Sequence, residues 1–353
     1  MKKNKFFLTI AIPTYNRHDV LKQNIDNIIN NVICKSSIPI ELVISDNAST
    51  DNTKQICQEF QKKYDFIKYF RNEKNFGIDF NIMKAVQLST GKYVHLLSDD
   101  DIIIADKYLK MLNFLTNDPE IDFLFLNGRG FSFSNNKVKF NKNKLSDFMK
   151  NSRMFMENRD ELLGIHDTFH FKNKSLFIHF IGTYITLISC FLLKREIWNI
   201  NKDKGRFIGT DIYLSYDLLH HISNSNKIMF YYEPVIGIRQ HFTKGNYRVF
   251  YAFSKQLNIL LLEEAVKIGF DKKIMESTFK NAIRYDLFGR IVAARFYNYN
   301  GNYDSINIKA LSWILPYTYK FFISYITIYP ILLIPKKIYL LARFIKRKLF
   351  GSL

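Results

Sequence analysis

The chain of 353 residues is 47% hydrophobic and 16% aromatic, enough to bury one large core or two smaller ones, which excludes a disordered tail. A formal charge of +19 predicts attraction to polyanions, whether nucleic acid, an anionic membrane or phosphate-bearing ligands. Cys34, Cys57 and Cys190 are scattered and odd in number, so they suggest neither a disulfide framework nor a zinc site and predict a reduced, cytosolic compartment.

The opening "MKKNKFFLTIAIPTYNR" joins basic residues to a short apolar run. That run is at the lower limit for a secretory signal and flows into a polar turn without a small-residue cleavage site, so it reads as the first strand. "DVLKQNIDNIINNVI" reads as an amphipathic helix, "IELVISDNAS" as a strand and "NTKQICQEFQKKY" as a helix. "FIKYFRNEKN" and "FNIMKAVQLSTG" repeat the pattern, and "KYVHLLSDDD" supplies the fourth strand. Strands alternating with helices of this length imply right-handed crossovers and a mainly parallel, Rossmann-like α/β sheet flanked by helices. In such a sheet ligands sit beyond the carboxyl ends of the strands.

Those ends are Pro13-Thr14-Tyr15-Asn16-Arg17, Ser45-Asp46-Asn47-Ala48-Ser49, Arg71 to Gly77, and the triplet Asp99-Asp100-Asp101. Taken singly, each is an ordinary turn or helix cap. Three adjacent carboxylates at a strand end repel one another and demand a compensating cation or donors. No G-x-G-x-x-G follows the first strand and no G-x-x-x-x-G-K is present, which excludes the common dinucleotide and P-loop fingerprints.

"IAIPTYNR", "ELVISDNASTDNT", "NEKNFGIDFNIMKAV" and "GKYVHLLSDDD", in that order over about the first 110 residues, resemble the nucleotide-sugar half of family 2 glycosyltransferases, which have the GT-A fold. The resemblance implies that Asp46 accepts from the uracil ring, and that Pro13, Thr14 and Tyr15 line the nucleoside. Asn16, Arg17, Asn47, Asn75 and Gly77 fall in the same nucleotide-sugar-binding stretches. It also implies that Asp99 approaches the ribose and that Asp100 holds a divalent metal, with Asp101 beside it. Many family members carry Asp where Ser98 stands, so the acid cluster is shifted by one here, which leaves the ligand open among Asp99, Asp100 and Asp101. The physical chemistry agrees: a diphosphate beside carboxylates needs a hard cation, Mn²⁺ or Mg²⁺, which takes one or two carboxylates plus phosphate oxygens and waters.

Downstream, "GTYITLISCFLLKREIW" reads as a strand and turn, and "RFIGTDIYLSYDLLHHI" as the start of a helix. By the resemblance Asp211 is the general base that a sugar hydroxyl requires, with inversion at the anomeric carbon; otherwise Thr210 and Asp211 simply cap the helix. Asp217 is expected at the surface, and His220 and His221 to be structural. Arg239, His241, Lys244 and Arg248 form a basic loop that closes over the diphosphate, with His241 as a further metal ligand, or that merely leads into the next helix. Residues 131–179, rich in Asn, Lys and Phe, read as an acceptor-side insertion or lid.

Two helices follow, "RVFYAFSKQLNILLLEEAVKI" and "KIMESTFKNAIRYDLFGRIVAARFY". The last stretch is apolar, aromatic and basic without acids, and is broken by Pro316, Pro330 and Pro335. It favours membrane association in the plane over a full crossing, with a helical bundle capping the protein as the competing role. The expected domains are a GT-A domain over 1–245, with a nucleotide-sugar half at 1–110 and an acceptor half at 111–245, and a helical region over 246–353.

The expectation is a cytoplasmic enzyme, peripheral on the inner face of the membrane, which moves one sugar from a nucleotide diphosphate, UDP first, to a hydroxyl of a lipid-linked or surface-glycan precursor. Nucleic acid is not an expected partner, since no recognisable binding motif appears. The Q-x-x-R-W stretch of polymer synthases is absent, which predicts a single addition per encounter. Two rivals remain: a nucleotidyltransferase, whose glycine-rich basic loop is missing, and a catalytically silent glycan-binding scaffold of the same fold.

Overall fold

The computed structural model describes residues 5–134, 137–140, 168–199, 206–239, 248, 250–296, 308–318, 321, 328–335 and 338. The chain divides into two compact units, Met1–Phe180 with Tyr184–Phe242, and Ile181–Thr183 with Thr243–Leu353.

The first unit is built on one ten-stranded sheet. Its strands are β1 (Leu8–Thr14), β2 (Ile40–Asp46), β3 (Ile67–Arg71), β4 (Tyr93–Leu96), β5 (Ile102–Ile103), β6 (Phe123–Ser134), β7 (Lys137–Phe140), β8 (Thr168–His170), β9 (Phe191–Lys194) and β10 (Ile228–Arg239). The main order is β3-β2-β1-β4-β9-β6-β10-β5, with β7 on β6 and β8 on β10. β1 pairs in parallel with both β2 and β4, β2 with β3, and β6 with β10. β9 runs against both β4 and β6, so the long strands β6 and β10 point the same way as the first four.

β1 and β2 are buried on both faces, which explains why "LTIAIPT" and "IELVISD" read as continuous apolar runs. The polar intruder Glu41 is satisfied by the Thr9 hydroxyl and by the Thr90 and Gly91 backbone N–H groups. The helices that cover the sheet are α1 (His18–Ile28), α2 (Thr53–Lys63), α3 (Ile78–Leu88), α4 (Ala105–Asn117), α5 (Lys174–Ile181) and α6 (Tyr213–Asn224). Leu8, Ile10, Leu42 and Ile44 pack with Leu21 and Ile25 of α1 and with Tyr108 and Leu112 of α4 in one core. Around β6 the core is aromatic: Phe125 meets Phe177, Phe191 and Phe230 with ring centroids 5.4–6.3 Å apart.

Two expectations change. Within "GTYITLISCFLLKREIW" only Phe191–Lys194 is a strand, and Gly182–Thr186 and Ile188–Cys190 are tight helical turns. β4 is four residues long, so a longer β9 would have nothing to pair with on that side. Asp217 is fully buried rather than at the surface, because α6 buries every residue from Tyr213 to Leu219. There Asp217 accepts from the Tyr213 hydroxyl at 3.3 Å and faces His221 at 3.6 Å.

The second unit is helical. One run passes through Tyr251–Gln256, Leu257–Ile259, Leu260–Glu264 and Ala265–Ile268. It stops at Gly269, whose φ of 109° closes the last turn, with Phe270 N donating to Ala265 O. Asp271 then caps the next run by accepting from Ile274 N, and that run continues through Lys272–Asn281, Ala282–Leu287 and Phe288–Phe296. Ile308–Thr318 and Ile328–Leu333 are shorter helices. Among the described residues no helix is long and apolar enough to cross a membrane. The basic tail beyond Ile338 lies outside the described residues.

Candidate active site

Strand order turns between β1 and β4: β2 and β3 lie on one side of β1, and β4 and everything after it on the other. This switch point is where the crossovers on either side part and leave a crevice. Thr14 closes β1 and the acid triplet follows β4, so the two face one another there. The Thr14 hydroxyl donates to Asp99 Oδ2 at 2.7 Å. Arg17, in the turn before α1, reaches Asp99 Oδ1 at 3.0 Å and Asp100 Oδ2 at 2.7 Å with one guanidinium nitrogen. The cation that three adjacent carboxylates demand is thus partly supplied by the chain itself.

The three acids live in different surroundings. Asp99 is 5% exposed and Asp101 7%, and burial pushes both carboxyls above the usual range; Arg17 pulls Asp99 back down and the Asp100 charge pushes Asp101 further up. Both oxygens of Asp101 are engaged, one by the Ser189 hydroxyl at 2.6 Å and the other by the Arg239 N–H at 2.9 Å. Asp100 is the most accessible, with its side chain 13% exposed. Its oxygens take the Ser98 hydroxyl at 2.6 Å and Arg17. Each carboxylate oxygen has a further lone pair, so Asp100 fits a hard cation held by one protein carboxylate plus phosphate oxygens and waters. Asp101, buried and doubly bonded, fits a bracing role. Among the described residues no group of three His, Cys, Asp or Glu side chains forms a metal cluster. His241 and Lys244 lie outside the described residues.

On the other side of β1, Asp46 is fully buried. Its Oδ1 accepts from Ser49 N at 2.8 Å and its Oδ2 from the Tyr69 hydroxyl at 2.7 Å, with Arg71 Nε 3.6 Å away. Burial and the Asp46 charge push the Tyr69 phenol upward, so it remains a donor. Asn47 knits the end of β2 to the turn before α3: its amide donates to Asn75 Oδ1 and Gly77 O, and its carbonyl accepts from Asn72 and Phe76 N. Gly77 sits at φ 90°, where a side chain would strain the backbone. Asn16 (φ 53°) donates its N–H to Ser49 Oγ and accepts from Thr50 N. Beside it Tyr15 is 41% exposed, a flat apolar face beside this edge; Pro13 is partly buried within β1.

Asp211 reaches this edge by another route. It stands just before α6 at φ 67°, in a turn whose Gly209 is at 84°. A left-handed non-glycine residue costs on the order of 1–3 kcal/mol and persists only where its neighbours impose it. Asp79 imposes it: its Oδ2 accepts from the N–H groups of Gly209, Thr210 and Asp211 at 2.8, 3.0 and 3.0 Å. Burial raises the Asp79 carboxyl to about 6 against the pull of these donors, and the charge of Asp211 raises it too.

Several of these groups were not evident in the sequence. Asn24 of α1 donates to Ser98 O and Asp99 O, both at 3.4 Å, and Asn81 of α3 donates to Thr14 O and Ser45 O at 3.2 and 2.9 Å. Their one signal is an amide on an otherwise apolar helix face. Ser189 accepts from Ser98 N while it donates to Asp101, and nothing in "GTYITLISC" marks it.

A sheet turning at β1 and β4, with acids at that point, defines an α/β protein with the GT-A fold. Residues 9–179, just under half of the chain, match the model described as glycosyl transferase family 2. It is 27% identical over 207 residues to abequosyltransferase RfbV of Salmonella typhimurium, covering 58% of this chain and 57% of that one. It is 33% identical over 99 residues to the GalNAc(5)-diNAcBac-PP-undecaprenol beta-1,3-glucosyltransferase of Campylobacter jejuni, covering 28% of this chain and 31% of that one. The chain therefore spans less than two thirds of either relative. The crystal structure of S. aureus TarS 1–349 in complex with UDP-GlcNAc shares the fold, with a TM-score of 0.54, 11% identity, and coverage of 87% of this chain and 84% of that one.

Proposed function

We propose that this protein is an inverting glycosyltransferase that moves one sugar from a nucleotide diphosphate sugar, UDP-linked by preference, to a hydroxyl of a lipid-linked or surface-glycan precursor. The observation that carries this reading is the Thr14–Asp99–Arg17–Asp100 cluster at the turning point of the sheet. It combines acceptors for a ribose with a cation for a diphosphate and one accessible carboxylate. The resemblance to proteins whose names specify sugar transfer, one of them onto a polyprenyl diphosphate-linked glycan, supports the same class.

In this reading Pro13, Thr14 and Tyr15 line the nucleoside, and Asp46, Asn47, Asn75 and Gly77 shape the base end. Asp99 takes the ribose. Arg17 swings between the acids and the diphosphate, and Arg239, near Asp100, adds a second positive charge. Asp100 would hold Mn²⁺ or Mg²⁺, which when bound stabilises charge on the departing diphosphate. Asp211 takes the proton of the acceptor hydroxyl as its oxygen attacks the anomeric carbon from the face opposite the leaving group. One C–O bond forms as the C–O bond to the diphosphate breaks, and the configuration inverts. The basic, aromatic C-terminal region holds the protein at the inner face of the cytoplasmic membrane, beside a lipid-linked acceptor.

The test is a panel of nucleotide sugars with purified protein, read as nucleoside diphosphate release with and without a chelator. Turnover with one donor, lost on chelation, is expected. Asp100→Ala should weaken donor binding and turnover in a metal-linked way, whereas Asp211→Asn should keep donor affinity and lose about 10²–10⁴-fold in transfer. Wild-type behaviour of both variants would remove the assigned chemistry.

A further inference from the structure

Asp79 carries an inference that rests on the assignment of Asp211 as base and extends it. It lies in the first turn of α3 and is 3% exposed. An acid in that position ordinarily faces solvent and favours its own helix N-terminus through the dipole. This one turns inward, and a single oxygen gathers three consecutive N–H groups from a segment 130 to 132 positions away. Successive N–H groups converging in this way form an anion-binding concavity, here filled by a carboxylate of the same chain.

We propose that Asp79 is a positioning residue for sugar transfer, which fixes the Gly209–Asp211 turn so that the Asp211 carboxylate is held ready for the acceptor hydroxyl. Two of the three residues it grips have positive φ, Gly209 at 84° and Asp211 at 67°. The grip supplies interactions that can hold the aspartate in the left-handed region. The arrangement also brings a second carboxylate close to Asp211, a cost that the backbone N–H groups of Asp211, Gly209 and Tyr213 offset. The same helix end ties in the donor side: Gly77 O accepts from Asn47, and Asn81 bonds Thr14 O and Ser45 O. One short stretch of α3 therefore sets the spacing between the nucleotide edge and the base.

The experiment is a double-mutant cycle on the full-length protein with the donor found above: Asp79→Asn, Asp79→Ala, Asp211→Asn and the pair Asp79→Ala with Asp211→Asn. Its readouts are kcat, acceptor KM, donor Kd and the thermal midpoint. Displacing a reacting group by about 1 Å costs roughly 100-fold, so Asp79→Ala should lose about 10–100-fold in kcat with donor Kd within about two-fold. Asp79→Asn keeps an accepting oxygen of the same shape and should recover part of the loss; it also serves as the reading if the alanine variant does not fold. If Asp79 acts through Asp211, its removal in the Asp211→Asn background should change the residual rate by less than about two-fold.

A fully additive pair, a donor Kd that weakens in step with kcat, or Asp79 variants as active as wild type while Asp211→Asn is not, would each overturn the positioning role and leave the base assignment intact. An Asp211→Asn variant with wild-type turnover would instead overturn the base assignment beneath it.

Discussion

Asp51 shows how much of this strand-end edge depends on a single carboxylate. It accepts from the backbone N–H of His18 at 3.2 Å, from its ring at 2.9 Å, and from the N–H and hydroxyl of Thr53, so one side chain joins the starts of α1 and α2. Burial works against its ionised form and is outweighed by these donors, which draw the carboxyl down to about 2. A carboxyl lowered on folding stabilises the protein above its ordinary titration range and loses that contribution as pH falls through its native value. Asp51→Asn should therefore cost on the order of 2 kcal/mol at pH 7. In urea unfolding the gap between variant and wild type should narrow at pH 3. At this scale the sequence was legible where residues are crowded: Asp99 to Asp101 announced themselves because three acids in a row are costly. Asn24, Asn81, Ser189 and Asp79 stayed hidden because each works on groups brought near by the fold, 36 to 132 positions away.

β1, β2 and β4 were legible as elements because strands buried on both faces leave unbroken apolar runs, and β3, an edge strand with only Ile67 buried, because the helices on either side of it carry a clear period. β9 was not. A four-residue strand after helical turns has too little periodicity to register, and its place between β4 and β6 follows from topology rather than local pattern. Asp217 misled for a related reason: an acid early in a helix looks solvent-facing unless one knows that every residue from Tyr213 to Leu219 is enclosed. The close approach of elements also sets a testable limit at Gly91, just before β4. A Cβ there would lie 2.6 Å from Thr9 N and 2.7 Å from Leu8 C, both backbone atoms of the central strand. Gly91→Ala should destabilise by about 1–3 kcal/mol or more, because the strand cannot move aside as a side chain can. Thermal melting should show the loss, and a variant as stable as wild type would mean that β1 and β4 pair less tightly than the register between Leu8 and Tyr93 indicates.

Across the whole molecule the unexplained quantity is the charge. A formal +19 is far more than one diphosphate site needs, and the aromatic, acid-free stretch after Leu311 is where it concentrates beside apolar side chains. If this region rests on a membrane surface, the protein should sediment with vesicles containing anionic lipid but not with neutral phosphatidylcholine vesicles. Binding should fall steeply when salt is raised from 0.1 M towards 1 M, as the screening length shrinks from about 10 Å to about 3 Å. Sedimentation that ignores both lipid charge and salt would remove the electrostatic reading.

The bracing of Asp101 has a consequence for synthesis. Its two donors, Ser189 and Arg239, come 88 and 138 positions after it. At roughly 5–20 residues per second a ribosome exposes Asp101 about 7 to 28 seconds before its last partner emerges. During that interval Asp101 lacks the Ser189 hydroxyl and the Arg239 N–H from which it accepts in the finished protein. Shortened chains ending before Arg239 would lack that donor permanently, so the setting of Asp101, although the residue itself is made early, is a property that the late residues confer.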